Sequence, residues 1–184
     1  GMPVRKRALK VGYVFQNPDH QIFKESVWSD VEFGLKNVGA PPESIPAIVE
    51  EILGLLKILD KKDLHPFQLS KGDRQRLAIA SVAALHPDTI IIDEPTTGQD
   101  YAHARDIMEF LRHLQVSKGV TVLVITHDMS LVAEYCQRVV VMNEGRVTLD
   151  GPPRQVFTQI EVLESAFIKP PKVALLAASL GCPA

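Results

Sequence analysis

Cysteine is nearly absent. Cys136 and Cys182 are the only two in 184 residues, far apart and in no C-x-x-C spacing. That excludes a disulfide framework and fits reduced thiols in a cytosolic protein. Long hydrophobic runs are lacking too: the longest candidates, Val173 to Leu180 and a few strand-like stretches, fall well short of the roughly 18 residues of a membrane span. A soluble chain is expected. No excess of one charge exists, since 20 Lys and Arg against 22 Asp and Glu give a formal charge of -2. A broad electrostatic attraction to nucleic acid or anionic lipid is thereby excluded. With 46% apolar residues the chain can build a core, and with 11 Gly and 13 Pro it is not collagen-like. Its length suits one domain. Gly1 ahead of Met2 is expected to be an added residue, the chain proper beginning at Met2.

The β-prone run Val11 to Phe15 stops at Gln16-Asn17-Pro18-Asp19, so a strand ends there and presents Gln16. Ser26 to Leu35 allows a helix that Gly39, Pro41 and Pro42 break. Ser44 and Pro46 open a clearer helix, with Ile48, Val49, Ile52, Leu53, Leu56 and Leu59 on one face and Glu50 and Glu51 on the other. Ser70-Lys71-Gly72 precedes an alanine-rich helix from about Asp73 to Leu85, closed by His86-Pro87-Asp88. Thr89 to Ile92 is continuous and β-branched, which predicts a parallel strand buried on both faces. Val120 to Thr126 is a second such strand. Between them a helix from about Tyr101 to Gln115 turns Ile107, Met108, Leu111 and Leu114 inward, making a β-α-β unit. Asn143-Glu144-Gly145-Arg146 signals a hairpin, and the tail from Pro152 holds short amphipathic segments broken by Pro170 and Pro171. A mainly helical block thus interrupts an α/β sheet.

Asp93-Glu94 puts two carboxylates at the carboxyl end of a buried strand, where ligand sites of open α/β sheets form. One can hold Mg²⁺ while its neighbour, on the other side of the pleat, orients a water. Taken alone, the pair could equally open the next turn. Ser70-x-Gly72 at a helix start offers a hydroxyl, free backbone N–H groups and the positive dipole end to an anion, and equally serves as a plain N-cap. His127 in isolation reads as an ordinary surface histidine.

Four motifs in order remove the ambiguity: Gln16; Leu69-Ser70-Lys71-Gly72-Asp73-Arg74-Gln75-Arg76; Ile90 to Asp100 with Asp93-Glu94-Pro95-Thr96-Thr97-Gly98-Gln99-Asp100; and Thr126-His127-Asp128. Together they resemble the ATP-binding cassette ATPases. The resemblance implies an α/β fold: a P-loop NTPase-like parallel sheet core with an inserted helical subdomain, truncated at its N-terminus. Its parts would be a helical subdomain at about 19–86, an α/β core at about 87–151 and a C-terminal extension at about 152–184. It implies ATP and Mg²⁺ as ligands. Gln16 would be the Q-loop glutamine at Mg²⁺ and the attacking water, Asp93 the Walker B ligand of Mg²⁺, Glu94 the general base and His127 the switch histidine. Ser70, Lys71 and Gly72 would belong to the signature that binds the γ-phosphate held by the opposite subunit, and Asp100 would end the D-loop at that interface. Lys71, Asp73 and Gln99 depart from the common Gly, Gln and Leu of the family pattern.

Phe15 to Phe23 looks like the energy-coupling-factor or cobalt-importer branch, in which the segment after the Q-loop contacts the membrane component, and Ile168-Lys169-Pro170-Pro171 resembles its C-terminal extension. Ile22, Phe23, Val27 and Trp28 read equally as core. The resemblance therefore implies an ATPase subunit at the inner face of the membrane, paired with a second ATPase subunit in a homo- or heterodimer and driving import of a metal ion or vitamin. No nucleic-acid partner is expected. The sequence contains no Gly-Lys dipeptide and so no G-x-x-x-x-G-K-[ST] loop, which would lie upstream of Met2. Two expectations follow: weak ATP binding with little hydrolysis by this chain alone, and exposed apolar strand edges that favour dimers. The other reading is a non-catalytic binding or regulatory module derived from such an ATPase.

Overall fold

The computed structural model describes residues 2–179, in two units that divide between Ile125 and Thr126. The first unit runs α1 (Val4–Ala8), β1 (Val11–Val14), α2 (Val27–Val38), α3 (Ile45–Leu55), α4 (Lys71–Ala83), β2 (Thr89–Asp93), α5 (Tyr101–Lys118) and β3 (Thr121–Ile125). The second holds α6 (Met129–Tyr135), β4 (Val139–Asn143), β5 (Arg146–Gly151), α7 (Pro153–Val156), α8 (Ile160–Ser165) and α9 (Lys172–Ser179). Among the described residues no helix is long and apolar enough to cross a membrane. Cys182 and the end of the Val173 to Leu180 run lie outside the described residues.

Local chemistry sets the helix ends. A Ser26–Ser29 capping box starts α2, and Gly39, left-handed at φ 73°, ends it three residues beyond the expected Leu35. Asp100 caps α5, which likewise continues to Lys118 before Gly119 turns at φ 69°.

The strands of the first unit form one parallel sheet in the order β1-β2-β3. β1 and β2 are therefore neighbours although three helices separate them in the chain. Helix α4 packs on β1 and α5 on β3. The approach of α4 is close enough that a Cβ at Gly12 would meet Val82 Cγ1. Val14, Ile90 and Ile92 lie on this covered face and are fully buried.

The other face departs from expectation. Strands buried on both sides were predicted, yet β3 alternates exposed and half-buried residues, and Val11, Tyr13, Leu123 and Ile125 are 40–49% exposed. The register aligns Tyr13, Ile91 and Leu123 across all three strands, so these side chains form one apolar face. The helices that pack on this sheet cover the opposite side.

In the second unit β4 and β5 pair antiparallel through Glu144-Gly145, both at positive φ as a type I′ turn requires. Val139 and Val141 point into a small core with Val132, Val156, Phe157 and Leu163.

Candidate functional site

The central strand β2 ends in Asp93, in register with Ile125 of β3. The Tyr13 hydroxyl, reaching across from β1, lies 3.5 Å from Asp93 Oδ2. At Glu94 the chain leaves the sheet in the left-handed region, φ 49°, held there because Glu94 N–H donates to the Ile125 carbonyl at 2.8 Å. A non-glycine residue pays about 1 kcal/mol for such backbone, which the surrounding hydrogen bonds must offset. Thr97 Oγ1 donates to Glu94 Oε2 at 3.0 Å, fixing the carboxylate against its own turn. Gln16, exposed, leaves β1 two residues after Val14, which pairs with Ile92, and so emerges at the same carboxyl edge.

The following turn, with Gly98 at φ 75°, leads to Asp100. Asp100 accepts from the His103 N–H at 2.9 Å and pairs with His103 Nδ1 at 2.6 Å. These backbone and side-chain bonds from His103 hold the carboxyl below its ordinary range.

Ser70 caps α4, its Oγ accepting from the Asp73 N–H at 3.1 Å. The same hydroxyl donates to Asp73 Oδ2 at 2.9 Å, and Lys61 Nζ lies 2.7 Å from that oxygen. Burial acts to raise the Asp73 pKa, but the hydrogen bonds from Lys61 and Ser70 outweigh it and the carboxyl sits below its ordinary value. Gly72 faces the turn after Glu94: a methyl group there would lie 2.6 Å from Gln99 Oε1. Thus Lys71 and Gln99, two departures from the common pattern, belong to adjoining turns, and a Cβ on Gly98 would lie 3.7 Å from Lys71 Nζ.

Behind this turn, Arg74 Nε lies 2.7 Å from Asp19 Oδ1, off the N–H direction and so an ion pair rather than a hydrogen bond. Arg76 is buried and joins α4 to α5 through Asp106 at 3.2 Å, which Lys57 also contacts at 2.7 Å. That Lys57 hydrogen bond lowers the Asp106 pKa.

The first unit thus gathers Gln16, Asp93, Glu94, Asp100, Ser70, Lys71 and Gly72 on two adjoining features, the sheet's carboxyl edge and the start of α4. His127, exposed, belongs to the second unit, where Asp128 caps α6 through the Ser130 and Leu131 N–H groups. Sequence reading missed Tyr13, Thr97, Lys61 and His103. The Asp100–His103 spacing, i to i+3 at a helix start, was a usable signal. Tyr13 and Lys61 had none, because only the fold brings them to their partners.

After Gln16 the segment divides. Ile22 and Val27 are core, as their apolar character allowed, but Phe23 is 59% exposed. Its ring meets Phe33 edge-on at 5.0 Å, and Lys24 Nζ sits 3.9 Å from the Phe33 centroid. Buried Asp30 holds the strand of chain behind them by accepting from Phe23 and Lys24 N–H.

A cavity of about 530 Å³ lined by His86, Asp88, Lys118 and Thr121 opens at the amino ends of β2 and β3. That is the wrong end of the sheet for Asp93 and Glu94. Among the described residues no three His, Cys, Asp or Glu converge on a metal-sized point. A lone Asp93 carboxylate suits Mg²⁺, which keeps waters and takes phosphate oxygens as its other ligands.

A parallel sheet interrupted by a helical block, with acids at the carboxyl end of its central strand, defines a P-loop NTPase-type α/β fold. Solved structures agree. Over 94% of this chain and 68% of the other, the fold matches cbiO1 from Clostridium perfringens, part of the ABC transporter complex cbiONQ, at TM-score 0.76 and 39% identity. It also matches the ATP-binding cassette MJ0796, solved as a dimer bound to ADP and Pi, at TM-score 0.73 and 29% identity over 81% of this chain and 65% of that one.

The ABC transporter family model matches residues 3–97, and the chain belongs to that family. Its relatives include the energy-coupling factor transporter ATP-binding protein EcfA1 of Caldanaerobacter subterraneus, 43% identical over 92% of this chain and 61% of that protein. EcfA of Methanocaldococcus jannaschii is 41% identical over 90% and 59% respectively. The chain spans about three fifths of these relatives, and 29% of a longer one from Methanosarcina acetivorans.

Proposed function

We propose that this chain is the ATP-binding and ATP-hydrolysing region of an importer of the energy-coupling factor class, coupling hydrolysis to uptake of a metal ion or vitamin. The observation that carries this reading is the gathering of Asp93, Glu94 and the Ser70–Gly72 turn in one unit of a cbiO1-like fold.

Asp93 would offer its carboxylate to Mg²⁺, with Gln16, just beyond the end of the neighbouring strand β1, as a second oxygen donor. Bound Mg²⁺ would neutralise charge on the phosphates. Glu94, pinned by Ile125 and Thr97, orients a water or takes its proton. By its resemblance to the family's switch histidine, His127 would be the residue assigned to the γ-phosphate. Ser70, Lys71 and Gly72 offer a hydroxyl, a positive charge and backbone N–H groups to the γ-phosphate of ATP held by a second ATPase subunit, and Asp100 crosses that interface. Phe23 and its Lys24–Phe33 neighbours form the surface for a membrane-embedded component, which keeps the chain peripheral at the inner face of the cell membrane. The parts would be the helical subdomain at about 19–86, the core at about 87–151 and the extension at about 152–184.

A second reading is a non-catalytic binding or regulatory module that keeps the coupling surface but not the nucleotide site with its G-x-x-x-x-G-K-[ST] loop. Titration with Mg·ATP and phosphate-release assays separate the two, run on the chain alone and mixed with a partner subunit that carries such a loop. Stimulated, Glu94-independent turnover by the partner fits a signature acting in trans. No binding and no stimulation fit the module and overturn the first reading.

A further inference from the structure

The signature turn carries charged Lys71 and Asp73 where the common pattern has Gly and Gln. Ser70 has one proton and two lone pairs. Its Oγ already accepts from the Asp73 N–H at 3.1 Å, and its proton goes to Asp73 Oδ2 at 2.9 Å. A phosphate that is to receive the Ser70 proton must take it from a carboxylate and approach that carboxylate's negative charge. Lys61 lies 2.7 Å from the same oxygen. This is not a loose surface pair, because the Lys61 and Asp73 side chains are only 32% and 15% exposed.

The position of Lys61 is fixed by backbone, not chance. Its turn is closed by Lys61 N–H to Ile58 and Lys62 N–H to Leu59, and it is tied to the start of α2 by Trp28 N–H to the Lys62 carbonyl at 2.9 Å and Val27 N–H to the Leu64 carbonyl at 3.0 Å. Arg76 adds attraction to Asp73 from behind, while Arg74 is turned to Asp19.

We propose that Lys61 is a positioning residue for phosphate binding at the signature: by neutralising Asp73 it lets Ser70 exchange its carboxylate acceptor for a phosphate oxygen. Lys61 acts through Asp73 and does not itself contact the phosphate. The inference rests on the proposed role of Ser70 and Gly72 and adds a residue to it.

The test is a two-residue cycle on the whole 184-residue chain. Nitrogen-15 spectra follow the Ser70 and Gly72 amides during titration with Mg·ATP in the presence of an unlabelled partner subunit that carries the Gly-Lys loop, and thermal melts check that each variant is folded. Lys61→Met weakens binding by about fivefold, as expected when a partly desolvated charge loses its partner. Lys61→Arg retains the wild-type affinity. Asp73→Asn keeps the cap, removes the negative charge that opposes a phosphate, leaves the Ser70 proton with a weaker neutral acceptor and tightens binding by a similar factor. In the Asp73→Asn background Lys61→Met has no further effect. An equal loss in both backgrounds means direct phosphate contact by Lys61 and overturns the proposal, as does no loss in either. Absence of any saturable shift at Ser70 and Gly72, in wild type and in Asp73→Asn alike, instead defeats the underlying phosphate-site reading and the proposal with it.

Discussion

The two faces of the three-stranded sheet are made from the same strands and much the same residue types, yet they have different fates. On one, Val14, Ile90 and Ile92 are fully buried beneath helices that are clamped together by Arg76 and Asp106. On the other, Val11, Tyr13, Leu123 and Ile125 stand 40–49% exposed. Burial here is decided by which side the connecting helices take, not by hydrophobicity, and the other face is left as exposed apolar surface.

The sharpest way to break this comparison is to truncate matched residues. Ile92→Ala on the covered face should cost about 2–5 kcal/mol in urea unfolding, whereas Leu123→Ala and Ile125→Ala should each cost no more than about 1 kcal/mol. Equal losses would mean that the open face is covered in solution. Gly12→Ala belongs to the same test, since the new methyl meets a branched carbon of Val82 that cannot swing away; a loss of about 1–3 kcal/mol is expected. Gly72→Ala, whose methyl meets only the flexible end of Gln99, should cost about 1 kcal/mol or less.

A smaller effect concerns association. The exposed row and the β3 edge, which has no strand partner among the described residues, should drive self-association at micromolar concentration, and a Leu123→Lys substitution should shift sedimentation toward monomer. A wild-type chain that stays monomeric across that range would count against the open face as an adhesive surface.

The last prediction is a slope in pH. Asp73 has its pKa lowered in the folded state, so its contribution to stability is fully present above its ordinary value of 3.8 and is lost as pH falls through the lowered value. Asp73→Asn should flatten the acid limb of the stability profile below about pH 4, read by thermal melts, by lowering the neutral plateau, where the ionised carboxylate contributes, while leaving the most acidic end nearly unchanged.

Much of the architecture was legible because it depends on local signals. The Ser26 and Ser70 caps, the Glu144-Gly145 turn and the β-branched runs before Asp93 and Thr126 are chemistry within a few residues. Helices α2 and α5 ran past their expected ends because glycine, not the last apolar residue, stops them. Within the site, Asp93, Glu94, Ser70 and Gly72 were marked by spacing. Tyr13 beside Asp93 and Lys61 beside Asp73 were not, for their partners lie on other elements and no short pattern encodes a meeting across strands or between a turn and a helix.

By itself, then, the sequence determined most of the elements, their order and which residues are proposed to meet phosphate and metal, since each follows from periodicity, capping and motif within a short window. Only the tertiary structure decided which sheet face is covered, that Gln99 rests against Gly72, and that Asp73 holds the Ser70 proton under the charge of Lys61. Those outcomes depend on side-chain distances of a few ångströms between distant segments, which packing sets and composition does not.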